Sequence, residues 1–233
     1  MRKEEISYGE NQIGYMAHDE SKGEKLPAVL VAPAWAGRDE VHMKMAETLA
    51  ELGYVGFTLD MYGDAKTGSS NEENNELMTP FLENRELLKN RMVAALEKVK
   101  SLPNVDENKV AAIGFCFGGL CVLDLARSGA DVAGVVSLHG LFVPPDLSKN
   151  KITAKVLALH GNDDPMVSHE AVMGLSKEMT EAGVDWQIHM YGNTLHAFTN
   201  PNANSPELGI VYNETAKNRA FKSIENFLSE ILS

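Results

Sequence analysis

The sequence predicts an α/β protein built on a doubly wound, mostly parallel sheet with helices on both faces. Six segments of continuous apolar and β-branched character recur along the 233 residues, as expected of strands covered on both faces. Helix-forming segments lie between them, and that alternation implies parallel strands joined by crossovers. No internal repeat and no Pro/Gly/Ser-rich linker divides the chain, so 1–233 reads as one domain.

An early run, "NQIGYMAHDE" (11–20), reads as an antiparallel edge strand. "PAVLVAPA" (27–34) is the first buried strand, followed by a helix over 39–53 that Gly53 closes, as glycine does at a helix C-terminus. "YVGFTLD" (54–60) is the second. The polar stretch "GDAKTGSSNEENNE" (63–76) is expected as a solvated irregular loop, or as the flank of a pocket because it leaves the C-terminal end of a strand. A helix over 83–102 precedes the strand "KVAAIGF" (109–115), and a helix over 118–129 ends at Gly129. "VAGVVSLHG" (132–140) and "AKVLALHG" (154–161) are strands. The helix over 168–183 opens on Ser168, carries Glu170 in its first turn and closes on Gly183. "WQIHMY" (186–191) is the last strand and 214–232 the last helix.

Composition excludes several classes of function. A formal charge of −12 disfavours nucleic acid, whose phosphates call for clustered Lys and Arg. No apolar run approaches the ~20 residues that cross a bilayer, and no apolar stretch follows the basic start, so no membrane partner and a cytoplasmic location are expected. The two cysteines, Cys116 and Cys121, are spaced so that their side chains do not face each other on a helix, which argues against a disulfide.

The chemistry centres on "AAIGFCFGGL" (111–120), where Cys116 sits between a buried strand and a helix, with Gly114 two residues before it and Gly118 two after. Glycines permit a sharp strand-to-helix turn, and the pattern G-x-C-x-G is a nucleophile elbow with thiol in place of hydroxyl. The helix N-terminus places free N–H groups and the positive end of the macrodipole beside the sulfur. Packing is the competing role for Cys116, since free cysteine is among the most buried residue types. Cys121, in the apolar helix face "LCVLDLA", reads as a packing residue.

A cysteine nucleophile needs a base, and the base an anion to orient it. In this topology the order is nucleophile, acid, histidine. "VLALHGNDDPMVS" supplies Asp164, held extended by Pro165, with Asp163 as runner-up. "WQIHMYGNTLHAF" supplies His196 in the loop after the last strand. Of the other histidines, His139 and His160 end strands at "HG" and read as satisfied structural residues. His189 lies in a strand, His42 and His169 on helices, and His18 near the N-terminus. An oxyanion hole would come from the backbone N–H groups of Phe117 and of Trp35, in "VAPAWAGRDE".

With these residues placed, the chain resembles the dienelactone hydrolase family of α/β-hydrolases over nearly its full length. The resemblance is carried by "GFCFGG" around Cys116, "HGNDDPMV" around Asp164, "LHAFTNP" around His196 and "LDMYGD" after the second buried strand. It implies a Cys116–Asp164–His196 triad that hydrolyses an ester or lactone through a thioester, with no metal or organic cofactor. Trp35, in the loop after the early strand, and Tyr62 and Phe198, within these motifs, are expected to contact the substrate. In the founding type a glutamate in the loop after the early strand controls the cysteine's ionisation, and the matching residue here is Ala34. Two arginines there hold a substrate carboxylate, and their positions carry Asp64 and Asn200. Arg38 and Lys66 could substitute, although each reads as a solvated surface charge.

A neutral ester or lactone is therefore the expected small-molecule substrate, and the protein is expected to be a monomer or a homodimer. A non-catalytic binding module of the same fold is the alternative, and it predicts loss of a triad member. A metal site is disfavoured because no ligand pair has local metal spacing such as C-x₂-C or H-E-x-x-H.

Overall fold

In the computed structural model, which describes residues 1–145 and 150–233, the chain opens with an antiparallel hairpin of β1 (Arg2–Tyr8) and β2 (Gln12–His18). The run expected at the sheet edge is thus second in the sheet, and β1 takes the edge. The charged "RKEE" conceals its strand character because β1 is largely exposed and only Tyr8 is buried.

The apolar runs become β3 (Leu26–Ala32), β4 (Val55–Thr58), β5 (Val105–Phe115), β6 (Gly134–Leu138), β7 (Lys155–Gly161) and β8 (Trp186–Tyr191). They form one eight-stranded sheet ordered β1-β2-β4-β3-β5-β6-β7-β8. Pairing is antiparallel through β2–β4 and parallel from there on. A separate two-stranded ribbon joins β9 (Asn204–Ser205) to β10 (Ile210–Val211).

Six α-helices among the described residues cover the sheet: α1 (Glu40–Glu51), α2 (Asn71–Glu83), α3 (Arg85–Lys100), α4 (Phe117–Arg127), α5 (His169–Glu181) and α6 (Glu214–Ile231). The period of two in a strand divides them between two faces. Val29 and Val31 of β3 join Ala111 and Ile113 of β5 in a core closed by Met45 and Leu49 of α1 and Ile224 and Phe227 of α6. Their sequence neighbours Ala28, Leu30 and Ala112 point the other way, into a core closed by Leu88 and Met92 of α3, Leu120 and Leu123 of α4, and Leu175 of α5. The continuous apolar runs follow from this burial on both sides.

The stretch 63–76 is only partly a loop, because α2 begins at Asn71. Ser70 caps it by accepting from the Glu73 N–H, while the Glu73 carboxylate accepts from the Ser69 N–H at 2.8 Å, a reciprocal arrangement close to a capping box. The helix expected over 83–102 is interrupted at its start by Asn84, whose backbone leaves the helical region (φ −123°, ψ 84°) and whose side chain caps α3. Among the described residues no helix is long and apolar enough to cross a membrane.

Candidate active site

β5 delivers the chain to Cys116 and α4 carries it away, with Cys116 at φ 53°, ψ −112°. A non-glycine residue there costs ~1–3 kcal/mol, so its surroundings must enforce it. The Cys116 N–H donates to the Leu138 carbonyl of β6 at 3.0 Å. Three glycines let the backbones converge: a Cβ on Gly114 would lie 2.0 Å from the Gly118 carbonyl, one on Gly118 2.1 Å from the Ala32 carbonyl, and one on Gly119 2.6 Å from Gly140 Cα. Cys116 is part-exposed, whereas Cys121 is buried in the core. Burial, then the charge of Asp124, pushes the Cys121 thiol well above its ordinary pKa, which makes it inert.

Asp164 and His196 meet across two loops. The Asp164 carboxylate accepts from His196 Nδ1 at 2.7 Å and from the Met166 N–H at 2.9 Å. Both side chains are almost fully buried, whereas Asp163, the runner-up, is exposed. Burial opposes a charge on His196, but the hydrogen bond to Asp164 and the nearness of Cys116, with the charges of both, outweigh it and raise the imidazole to about 10. His196 Nε2 is buried and has no hydrogen-bond partner among the described residues, in the cavity that Cys116 also lines. The β10 side of the ribbon holds this loop: the His196 N–H donates to the Gly209 carbonyl at 2.9 Å and the Val211 N–H to the His196 carbonyl at 3.1 Å. A Cβ on Gly209 (φ +71°) would sit 2.2 Å from Pro165 Cγ, so one glycine seats both the acid loop and the base loop.

The third loop follows β3. Neither the Trp35 N–H nor the Phe117 N–H has an acceptor among the described residues. Around Trp35 the backbone is pinned on three sides. The Ala34 N–H donates to His42 Nε2 at 3.1 Å, the Ala34 carbonyl accepts from the Gly37 N–H at 3.0 Å, and the Trp35 carbonyl accepts from the Tyr62 hydroxyl at 2.7 Å. Tyr62 is held in turn by the loop after β4. The buried Asp60 carboxylate there accepts from the N–H groups of Ile13, Tyr62, Gly63 and Ala65 at 2.8 to 3.1 Å. Burial, followed by the charges of Cys121 and Cys116, raises the Tyr62 phenol and keeps it a donor.

Cys116, His196 and Trp35 line one cavity of about 630 Å³, walled mainly by Met45, Met78, Phe115, Leu141 and Phe221. The residues expected to touch substrate divide here. Trp35 lines the cavity, Tyr62 lies behind it as a strut for Trp35, and Phe198 is fully buried against His139 and Tyr191. Phe198 is a core residue; "LHAF" reads as a site motif because of His196, not because of the phenylalanine. Arg38 is not a solvated charge either: it is buried and bound to Glu5 at 2.7 Å, which removes it from substrate binding. Lys66 is exposed and outside the cavity wall, as is Asp64, while Asn200 lines the cavity.

Two strand-end histidines differ from the satisfied role expected of them. His160 has neither ring nitrogen paired, and burial lowers its pKa. His139 adopts φ +38°, pairs Nε2 with Thr199 Oγ1 at 2.8 Å, leaves Nδ1 unpaired and stands edge-on to His196 at 5.2 Å. Burial, then the charge of His196, holds His139 well below its ordinary pKa, so it is neutral. The sequence reading missed His42, Asp39, His139, Thr199 and Gly209. Asp39 and His42 did carry a signal, an acid at a helix N-cap with a histidine three residues on, but the stretch reads as an ordinary helix start. Among the described residues no cluster of three or more His, Cys, Asp or Glu side chains could hold a metal ion.

The model of the Dienelactone hydrolase family matches residues 13–232. A solved structure named m3DLH superposes with a TM-score of 0.94 at 34% identity, covering 100% of this chain and 99% of that one. A dienelactone hydrolase-like promiscuous phosphotriesterase, P91, from metagenomic libraries, superposes at 0.92 with 35% identity, covering 100% and 98%. A Bradyrhizobium sp. protein named "Probable 2-oxo-3-(5-oxofuran-2-ylidene)propanoate lactonase" is 27% identical over 82% of this chain and 80% of its own.

Proposed function

The chain belongs to the dienelactone hydrolase family, and we propose that it cleaves a neutral carboxylic ester or lactone through a thioester on Cys116. One observation carries this reading. His196, bound to Asp164 at 2.7 Å through Nδ1, keeps Nε2 buried and unpaired in the cavity that Cys116 enters from its strained elbow.

His196 takes the proton of Cys116, and its raised proton affinity lets it keep that proton as an imidazolium paired with the thiolate. The thiolate attacks the ester carbonyl, and the N–H groups of Trp35 and Phe117 receive the oxyanion. As the tetrahedral intermediate collapses, His196 gives the proton to the departing alkoxide. It then takes a proton from water, which attacks the thioester, and returns it to sulfur as the acid leaves. An amide would fare worse, since sulfur leaves more readily than an amine and the intermediate would revert.

Charge around the cavity supports a neutral substrate. Among the described residues no arginine lines it; its lysines are Lys44, paired with Glu47 at 3.0 Å, and Lys217, over the Phe221 ring at 5.5 Å. The test is a panel of p-nitrophenyl esters, neutral lactones and their carboxylate-bearing counterparts, run on wild type and Cys116→Ala. A neutral aryl phosphotriester belongs in the panel, because one structural neighbour is named for that activity. The expected result is turnover of neutral esters that Cys116→Ala abolishes while the fold is kept. Undiminished turnover in that variant refutes the nucleophile, and preference for carboxylate-bearing lactones refutes the substrate class.

A further inference from the structure

We propose that His42, oriented by Asp39, is a positioning residue that sets the oxyanion-binding geometry by holding the Ala34 amide; the proposal rests on the hydrolase reading above. Five observations converge on this second acid–histidine pair, which lines the same cavity as Cys116 and His196. His42 Nδ1 lies 2.5 Å from Asp39 Oδ1, and His42 Nε2 accepts from the Ala34 N–H at 3.1 Å. An acceptor at Nε2 requires the proton on Nδ1, so Asp39 selects the tautomer that can hold the amide. Burial works against the Asp39 charge, but hydrogen bonds from the His42 imidazole and from the N–H groups of His42 and Val41 hold its carboxyl below the usual range. The imidazole has little freedom: it is 5% exposed and packs edge-on against Phe115, one residue before the elbow, at 5.4 Å.

The geometric consequence falls on Trp35. The peptide joining Ala34 to Trp35 carries the Ala34 carbonyl, tied to the Gly37 N–H, and the Trp35 N–H, which is untied. The units on either side are tied by His42 and by Tyr62. Releasing the Ala34 N–H frees the Pro33–Ala34 unit and leaves the next peptide held only by the Gly37 bond and the Tyr62 strut, so the aim of the Trp35 N–H is less tightly fixed. A hydrogen-bond donor in an oxyanion hole must sit within a narrow distance of the developing charge, and an error of ~1 Å can cost ~10²-fold in rate.

The test compares His42→Phe, which keeps an edge-on ring without an acceptor, with His42→Gln, whose amide oxygen can replace Nε2. Two rates are measured on each: turnover of p-nitrophenyl acetate, and alkylation of Cys116 by iodoacetamide, which needs the nucleophile but builds no oxyanion. In His42→Phe, kcat should fall ~10- to 100-fold with KM nearly unchanged and alkylation at the wild-type rate, and His42→Gln should recover most of the loss. Wild-type kcat in His42→Phe overturns the proposal, and so does alkylation slowed in step with turnover, which marks a general disturbance of the site. Should His42→Phe not fold, Asp39→Ser serves in its place. Its hydroxyl can still cap α1 but is one atom short of the carboxylate that Nδ1 faces, so the tautomer that accepts from the Ala34 N–H is no longer selected; kcat should fall while alkylation holds, and wild-type kcat there overturns the proposal. Failure of the nucleophile itself appears separately, as undiminished turnover in Cys116→Ala.

Discussion

Replacing Gly118 by alanine probes whether the elbow and the oxyanion loop are one mechanical unit. The new Cβ would stand 2.1 Å from the Ala32 carbonyl oxygen and 2.7 Å from that of Pro33, about 0.9 Å inside the 3.0 Å that side-chain carbons respect. Neither neighbour is a flexible side-chain end, so the α4 N-terminus and the end of β3 must separate by about that amount. Ala32 and Pro33 lead directly into the Trp35 turn, while Gly118 follows Phe117. The separation therefore pulls apart the two N–H groups assigned to the oxyanion. A displacement near 1 Å predicts a fall of ~10²-fold in kcat/KM, with ~1–3 kcal/mol of destabilisation from overpacking. At this chain length each kcal/mol lowers Tm by ~2–4 °C. Gly174→Ala is the control: it lies in α5, its Cβ would meet nothing within 4 Å, and alanine there stabilises a helix by ~1 kcal/mol. The assay is the pre-steady-state release of p-nitrophenol, with Tm read by calorimetry. A Gly118→Ala enzyme within ~3-fold of wild type in kcat/KM would show that the elbow and the Trp35 loop are not mechanically coupled.

Tyr62→Phe removes the 2.7 Å bond to the Trp35 carbonyl but keeps the ring that stacks on Phe117 at 6.4 Å. It should cost ~0.5–1.5 kcal/mol of stability and lower kcat more than it raises KM; a change in KM alone, in steady-state kinetics, would return Tyr62 to direct substrate contact. Asp164→Asn is read by Tm against pH. His196 holds its proton to about 10 in the folded protein against an ordinary 6.5, so its stabilisation is full below pH 6.5 and is lost as pH rises toward 10. The gap between wild type and Asp164→Asn should be widest near pH 6 and narrow toward pH 10. A gap that stays constant across that range would refute the assignment of this stabilisation to the Asp164–His196 pair.

What the sequence made legible was whatever depends on local pattern. Continuous apolar runs marked β3 to β8 because both faces of those strands are buried, and glycines two residues either side of Cys116 marked the elbow because no Cβ fits there. β1 was hidden, since an edge hairpin buries too little to need apolar residues. α2 was hidden because its sequence is polar, with only Asn74 and Phe81 buried, and the capping pair Ser70 and Glu73 was its one signal. Within the site, Asp164 and His196 could be placed by chain order behind their strands. The struts could not, because Tyr62 to Trp35 spans 27 residues, His139 to Thr199 spans 60, and neither pairing leaves a local trace. Phe198 shows the converse: it stands two residues from His196 in the sequence, but the turn that carries it points its ring into the core.

The departure at Ala34 acquires a physical meaning from this geometry. A methyl side chain can neither hold a proton nor repel a thiolate, so whatever control the position exerts passes through its backbone. That backbone is the one held by His42. The two carboxylates that serve the site, the buried Asp164 and the half-buried Asp39, each accept a hydrogen bond from an imidazole, at 2.7 and 2.5 Å. Arg38, the cation nearest in sequence to this loop, is spent on Glu5. A substrate carboxylate would thus enter a cavity with no arginine among its described lining residues, where the cations are Lys44, paired with Glu47, and Lys217, over the Phe221 ring, and its desolvation against the apolar wall is costly. A neutral ester loses little on the same path. The proposed preference for a neutral substrate rests on that use of the nearby arginine, and the panel of neutral and carboxylate-bearing lactones tests it.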